Sequence, residues 1–471
     1  MKTLIKIVAV TILATSMYSC KHTLTPQERL GKATREDKNG WIYIHLAGSP
    51  SDIGFQHGYL VAKEIDTLIK VMQYYLPSNG SGYQWDFYRS AAKRFLWPKL
   101  EKEYKDEIKG IAEGLQAKGF KYDSLDLTAL NANIELSQYY VPTLMNKIKP
   151  GTGNDRAPGN CSAFIATGSF TKDHKIVIAH NNWTDYIEGE RWNVIADIKP
   201  EKGNEILMDC SPGFIHSGDD FVISKSGIMI TETTITQFIG FDTTKTAEFM
   251  RARKAAQYAN SIDDVVRIMT TDNNGGYAND WLIGDTKTNE VARLELGLKD
   301  HRVWRSKDTA FIGSNFPSDP TLTKEETTFK VDDPTSSANA RKLRLSKLIY
   351  DDYKGKIDVN NGMTIEGDTY DALDGKQALN RCVIDGHVEE DPLGSKEWSE
   401  PPFFPMGAVQ GKVTTTDLAN KMELWAHMGH PGGADFLAGP FFKKHPEYLK
   451  TQGKYLRDMK AYPWTLFSAS N

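Results

Sequence analysis

The boundary at Asn160-Cys161 carries the strongest chemical signal in the chain. A Gly/Pro-rich stretch, PGTGNDRAPG (150–159), ends there, and a β-rich run, CSAFIATG (161–168), begins with cysteine. This layout suits a chain that cuts itself. The Cys161 sulfur would attack the preceding carbonyl, and water would then hydrolyse the resulting thioester. The new chain end would carry a thiol beside a free α-amine. An α-amino pKa of about 7.7–8.0 lets that amine act as base for its own side chain. The plainer alternative is a buried cysteine opening a core strand, because free cysteine packs as a small hydrophobe.

Other constellations are weaker. His427-Met428-Gly429-His430 spaces two histidines at i, i+3. Zinc there needs a third ligand and usually an acid, so the expectation is no metal, and nothing calls for another cofactor. Asp385 to Asp391 (DGHVEED) is acidic but lacks EF-hand spacing, and reads as a solvated loop. A GxSxG elbow, a Walker loop and a dinucleotide fingerprint are all missing from the sequence, which argues against a serine lipase or nucleotide enzyme. Besides Cys20 the cysteines are Cys161, Cys210 and Cys382. Three is odd, so at least one is free within a single chain, and Cys210 and Cys382 are a possible pair.

The elements that must position Cys161 follow from pattern. The 471 residues are 40% hydrophobic and 25% charged, which is globular composition. The net charge of −4 argues against a nucleic-acid-coating protein. WIYIHL (41–46) alternates like a strand, and residues 51–140 read mainly as helices broken at 77–82 and at Trp97-Pro98. From Cys161 the pattern changes to successive strands at 161–168, 175–181, 192–198, 204–209, 221–224 and 227–234. Helix returns near 247–271, strands at 281–285 and 290–296, and helix at 337–352. Residues 353–411 read as loop, and 414–425 as helix.

The N-terminus reads as an export signal: Lys2 and Lys6, an apolar stretch from Ile7 to Met17, then Met17-Tyr18-Ser19-Cys20. Cys20 stands where a bacterial lipoprotein carries its lipid, which would tie the protein to a membrane face without spanning it. The expected localisation is the periplasmic or outer face of a membrane. Residues 21–40 read as a tether.

NCSAFIATGSFTKDHKIVIAHNNWTDY (160–186) resembles the nucleophile region of the phospholipase B-like proteins, which belong with the penicillin acyltransferase-like and choloylglycine-hydrolase-like N-terminal-nucleophile (Ntn) hydrolases. The likeness continues in PGFIHSGDDFVISKSGIMITETT (212–234), in Tyr277-Ala278-Asn279-Asp280-Trp281, around Arg341, and in GAVQGKVTTTDLA (407–419). It is weak before residue 160. The resemblance implies an α+β fold, an αββα sandwich of two antiparallel sheets between helical layers. It divides the chain into a signal (1–20), a tether (21–40), a helical N-terminal fragment (41–160) and a catalytic region (161–471), cut between Asn160 and Cys161. By position it implies Cys161 as nucleophile, Asn279 as oxyanion donor, Arg341 as an orienting or oxygen-binding group, and His180 and Trp183 beside the nucleophile. Thr233 or Thr234 would lie on the adjacent strand end, and Asp185 is a further candidate. Each has a structural alternative: a satisfied strand-end histidine for His180, core for Trp183, a turn for Asn279, a solvated helix face for Arg341. The implied activity is hydrolysis of acyl-amide or acyl-ester bonds in a small molecule or lipid. The rivals are acyl transfer to small amines and a non-enzymatic surface lipoprotein that binds lipid or glycan.

Overall fold

The computed structural model describes residues 25–79, 82–148, 161–219 and 221–470. Cys20, the export signal and Asn160 lie outside them. The chain forms β1 (Thr34–Lys38) and β2 (Trp41–Gly48), a run of helices, then β3 (Cys161–Thr167), β4 (Val177–Asp185), β5 (Val194–Pro200), β6 (Ile206–Cys210), β7 (Val222–Ser224) and β8 (Ile228–Thr234). After two helices come β9 (Asn279–Asp285), β10 (Glu290–Leu296), β11 (His301–Ser306) and β12 (Thr309–Gly313). The last third holds the small hairpin β13 (Tyr370–Asp371) and β14 (Lys376–Gln377), then β15 (Met406–Thr415), β16 (Glu423–Met428) and β17 (Thr465–Ser468).

Two sheets result. One runs β1-β2-β5-β6-β7-β8-β9-β10-β11, the other β12-β3-β4-β15-β16-β17. The alternation of strand side chains shows how they pack. On β3, Ala163 and Ile165 join Leu207, Ile223, Met229 and Leu282 of the nine-stranded sheet in one core. Phe164 and Ala166 point the other way, to Leu345, Ile349 and Ile365 of the helical regions that follow β12. The outer face of the nine-stranded sheet, with Ile44, Ala196 and Ile283, buries the helices Pro50–Leu60, Ala62–Asn79 and Lys102–Ala117. Two of these helices meet glycine to glycine. A Cβ on Gly54 would stand 1.9 Å from the Glu107 carbonyl oxygen, and one on Gly114 2.4 Å from that of Phe55.

Several expectations need correction. The sheets are not wholly antiparallel, because β2 pairs with β5 in parallel. Residues 25–40 are not all tether: a capped helix, Pro26–Leu30, leads into β1, which pairs with β2 along its whole length. Polar TREDK forms a strand because it is a sheet edge, exposed on most of its length. Residues 406–415 form a central strand, and only Thr416–Ala419 is helical within 414–425. β15 is buried on both faces, so its polar residues follow no solvent-side period. The 353–411 segment contains the helix Val359–Glu366 and long buried stretches.

Candidate functional site

Cys161 is the first residue of β3, opposite Asn182 of β4, and only 1% exposed. Its sulfur lies 3.9 Å from both Asn182 Oδ1 and Glu232 Oε1. Its backbone N–H donates to Asn315 Oδ1 at 3.3 Å. Its carbonyl accepts from Arg341 Nη1 at 2.5 Å. The same guanidinium donates to Asn315 Oδ1 at 2.7 Å and to Ser337 Oγ at 3.0 Å, and lies 4.4 Å over the Trp183 ring. One cation therefore holds both ends of the cysteine backbone, the carbonyl directly and the N–H through Asn315. It reaches that position just past β12 with φ of 74°, a left-handed conformation that asparagine tolerates better than most residues. Its Nδ2 donates to the Thr234 carbonyl at 2.9 Å.

A charged group lies behind the thiol, between the sheets. Lys412 of β15 stands opposite His180 of β4 and is fully buried. Its ammonium is 3.2 Å from Asp209 and also bonded to Asp219, while Ser217 Oγ lies 3.1 Å from Asp209 and 2.9 Å from Asp219, with one proton to share between them. Asp219 approaches His180 Nδ1 to 3.8 Å. Burial and the Lys412 charge push the His180 pKa down to about 3, against the upward pull of Asp219 and the Glu232 backbone. The imidazole is thus neutral and only weakly basic. Burial, then Glu232 and Asp219, push the Cys161 thiol well above its ordinary value. Tyr277 orients Glu232, donating to its Oε1 at 2.9 Å.

Unpaired polar atoms concentrate here. Asn182 Nδ2, the Thr233 and Thr234 hydroxyls and both ends of the Asn279 amide complete no hydrogen bond, and the His180 ring meets only the Glu232 backbone. Each such group costs roughly 1–3 kcal/mol, and buried polar groups left this way need an explanation.

The Phospholipase B family profile matches residues 59–313, more than half of the chain. The chain belongs to the Phospholipase B family. An uncharacterized protein of Archaeoglobus fulgidus is 25% identical over 270 residues, 54% of this chain and 42% of that protein. Putative phospholipase B-like 1 of Caenorhabditis elegans is 24% identical over 333 residues, 62% of this chain and 57% of that protein. Putative phospholipase B-like 2 of Homo sapiens is 26% identical over 207 residues, 38% of this chain and 33% of that protein. The chain is thus matched over less than two thirds of each relative's length. The family match begins about a hundred residues before Cys161, so the N-terminal helices belong to the resemblance after all.

Of the residues singled out in the sequence, the structure gathers Cys161, His180, Trp183, Thr233, Thr234 and Arg341 around one another. Arg341 is fully buried, which lowers its pKa to about 10 without discharging it at neutral pH. The solvated helix face belongs to its neighbours: Arg344 pairs with Asp368 near the surface. Asn279 is a buried strand residue opposite Thr234, not a turn. Thr233 sits tightly against β12, where a Cβ on Gly313 would approach its Oγ1 to 2.2 Å. Asp185 lies apart, three residues beyond the Asn182 pairing, bonded to the Tyr75 hydroxyl.

The sequence reading missed Glu232, Asn315, Tyr277 and the Lys412-Asp209-Asp219 group. Glu232 had a signal, a carboxylate inside the β-rich run ITETT. Asn315 had none, because its role depends on β12 pairing with β3.

The remaining candidates resolve differently. Cys161, Cys210 and Cys382 are all free and buried, so Cys210 and Cys382 are not bonded to each other. The DGHVEED run is not a solvated loop: Asp385, His387, Glu389 and Asp391 are all buried. His430 joins Asp385 and His387, whereas His427 packs against Trp464. The His387 and His430 rings stack at 3.8 Å and 16°. Lone pairs in two parallel ring planes do not converge on one ion, so this pair is poorly arranged for shared metal binding. Among the described residues no helix is long and apolar enough to cross a membrane.

Proposed function

We propose that this chain is an Ntn-type hydrolase that cuts itself between Asn160 and Cys161 and then hydrolyses acyl-amide or acyl-ester bonds through a Cys161 thioester. The observation that carries the reading is the pairing of one buried cysteine with ready-made supports for its thiol, amine and carbonyl. Family membership and the packing of two sheets between helices support it.

In the uncut chain the Cys161 thiol gives its proton to the neighbouring Glu232 carboxylate as sulfur attacks the Asn160 carbonyl carbon. The oxyanion takes hydrogen bonds from the unpaired Asn279 amide, since such donors stabilise charge only where it develops. The C–N bond breaks, the proton passes to the departing Cys161 nitrogen, and water hydrolyses the thioester. The freed amine is held by Asn315 and the carbonyl by Arg341, which fixes the amine near the thiol it then serves as base. The N-terminal fragment stays in place, because β2 lies within the nine-stranded sheet and its helices share that sheet's core. Substrate acyl groups follow the same route to Cys161 and leave to water. The export signal and Cys20 support action at a membrane face.

The test is to trap the acyl-enzyme. Mature protein is mixed briefly with N-acyl amides in one arm and phospholipids in the other, quenched in acid, and digested for mass spectrometry. An acyl mass on the Cys161 peptide in either arm identifies the bond class. Slow turnover with no adduct on Cys161 at any quench time would contradict the thioester route.

A further inference from the structure

We propose that Cys161, His180 and Glu232 form a binding site for a thiophilic divalent cation, zinc above all, whose occupancy reversibly blocks the nucleophile. Three donor atoms, one from each side chain, lie within 4.8 Å of one another, and all three residues are buried. A thiolate, an imidazole and a carboxylate are the zinc donor types. With zinc–sulfur and zinc–oxygen bonds of about 2.3 and 2.0–2.2 Å, tetrahedral donors would stand about 3.5 Å apart. Cys161 Sγ and Glu232 Oε1 are 3.9 Å apart, a few tenths of an ångström from that spacing, and the His180 donor lies within 4.8 Å of both.

Three further features favour the ion. At most one His180 ring nitrogen is engaged, by the Glu232 backbone, which leaves the other for the ion. The outer contacts are of the kind that orient metal ligands: Asp219 stands behind His180 at 3.8 Å, and the Tyr277 hydroxyl holds Glu232 at 2.9 Å. The Glu232 and Asp219 carboxylates attract a cation beside the thiol, against the repulsion of the Lys412 ammonium. Binding is proton exchange: the thiol S–H bond breaks, a sulfur–metal bond forms, and the proton leaves to water. The Asp385-His387-His430 cluster contains similar residue types, but its stacked rings direct their lone pairs apart.

Self-cleavage would add a fourth donor, and this part alone rests on the proposed function. The Cys161 α-amine and thiolate would close a five-membered chelate ring, occupying nucleophile and base together. The mature protein would then bind zinc more tightly than the uncut chain.

The test uses full-length, metal-stripped protein titrated with Co²⁺, with zinc affinity measured by competition. Wild type should take up one Co²⁺ per chain with a near-ultraviolet thiolate-to-cobalt band, which zinc abolishes and a chelator reverses. The band should vanish in Cys161→Ser and persist in His387→Ala. Zinc binding should weaken at least about 100-fold in Glu232→Gln and about 10-fold in Asp219→Asn. No band in folded wild type, or an undiminished band in Cys161→Ser, overturns the site. If Cys161→Ser does not fold, unchanged zinc affinity in Glu232→Gln overturns it equally. Intact mass on the same samples separates the two proposals. A band in a chain that stays whole supports the metal site alone, whereas a cut chain without a band removes the site and leaves the hydrolase.

Discussion

Cys161 and His387 sit in two buried clusters built from much the same residue types, and the clusters differ in how their charges are met. Around His387 the charges compensate. Its Nδ1 meets Glu389 at 2.9 Å, its Nε2 faces Asp385 at 3.6 Å, and His430 approaches the same aspartate at 3.4 Å. The imidazoles hold Asp385 and Glu389 below their ordinary pKa values against the pull of burial, and those acids raise His387 to about 10. Tyr186 closes the network, bonding Glu389 at 2.5 Å. Around Cys161 the thiol is held protonated and the imidazole neutral, while unpartnered buried atoms occur in both clusters, Asn182 Nδ2 in this one and His430 Nδ1 in the other. The first arrangement is a clasp: Ile384 and Gly386, in the same segment, brace Trp183 from behind. The second holds a protonated thiol beside a neutral imidazole. Residue types alone did not distinguish them; the opposite shifts of His387 and His180 do.

The largest expected effect breaks this contrast outright. Cys161→Ala should leave the chain whole on a denaturing gel and lower acyl hydrolysis on the order of 10⁴-fold or more, while the His387 cluster stays intact. Next come Lys412→Met and His387→Ala, each of which strips a buried cation from two carboxylates. Each should cost about 3–5 kcal/mol in urea unfolding. At a temperature where both variants remain folded, only Lys412→Met should also slow self-cleavage. Equal cleavage rates in the two would erase the distinction drawn here. Arg341→Lys keeps the charge but loses the fork that spans the Cys161 carbonyl, Asn315 and Ser337. It should slow cleavage by about 10²-fold through misplacement of the cysteine backbone, with little change in melting temperature.

The smallest effect concerns a half-buried acidic pair, Asp185 and Glu188. Burial raises Asp185 from 3.8 to about 6, against its bond from Tyr75, and raises neighbouring Glu188 from 4.5 to about 8. Both hold their protons more tightly folded than unfolded. Their stabilising contribution is therefore fully present below the unfolded values and is lost as pH rises through the folded ones. Stability should fall from about pH 4 to about pH 8 on their account, and Asp185→Asn should flatten part of that fall in thermal melts. An unchanged profile would place Asp185 outside the titrating set.

Much of this architecture was legible from local pattern. The helical first third, the change to strands at Cys161 and the β8–β9–β10 region follow from hydrophobic period and turn residues. What was hidden depends on burial. β15 has no alternating polar face because both its faces are covered, so Lys412 reads as an ordinary surface lysine. DGHVEED reads as solvated because its compensating partners, His430 and Tyr186, come from elsewhere in the chain. In the site, Cys161 was legible from its place after a Gly/Pro stretch. Asn315 was not, because β12 and its pairing with β3 bring it 154 residues along the chain to the Cys161 amide.

The central claim is that the Cys161 cluster acts on the chain's own backbone. The most direct measurement is intact mass with N-terminal sequencing of the purified protein beside Cys161→Ala. The account predicts two wild-type fragments, the second starting at Cys161 and ending at Asn471, and a whole mutant chain. A folded wild type that remains one uncut chain, or a mutant cut at the same bond, would contradict it.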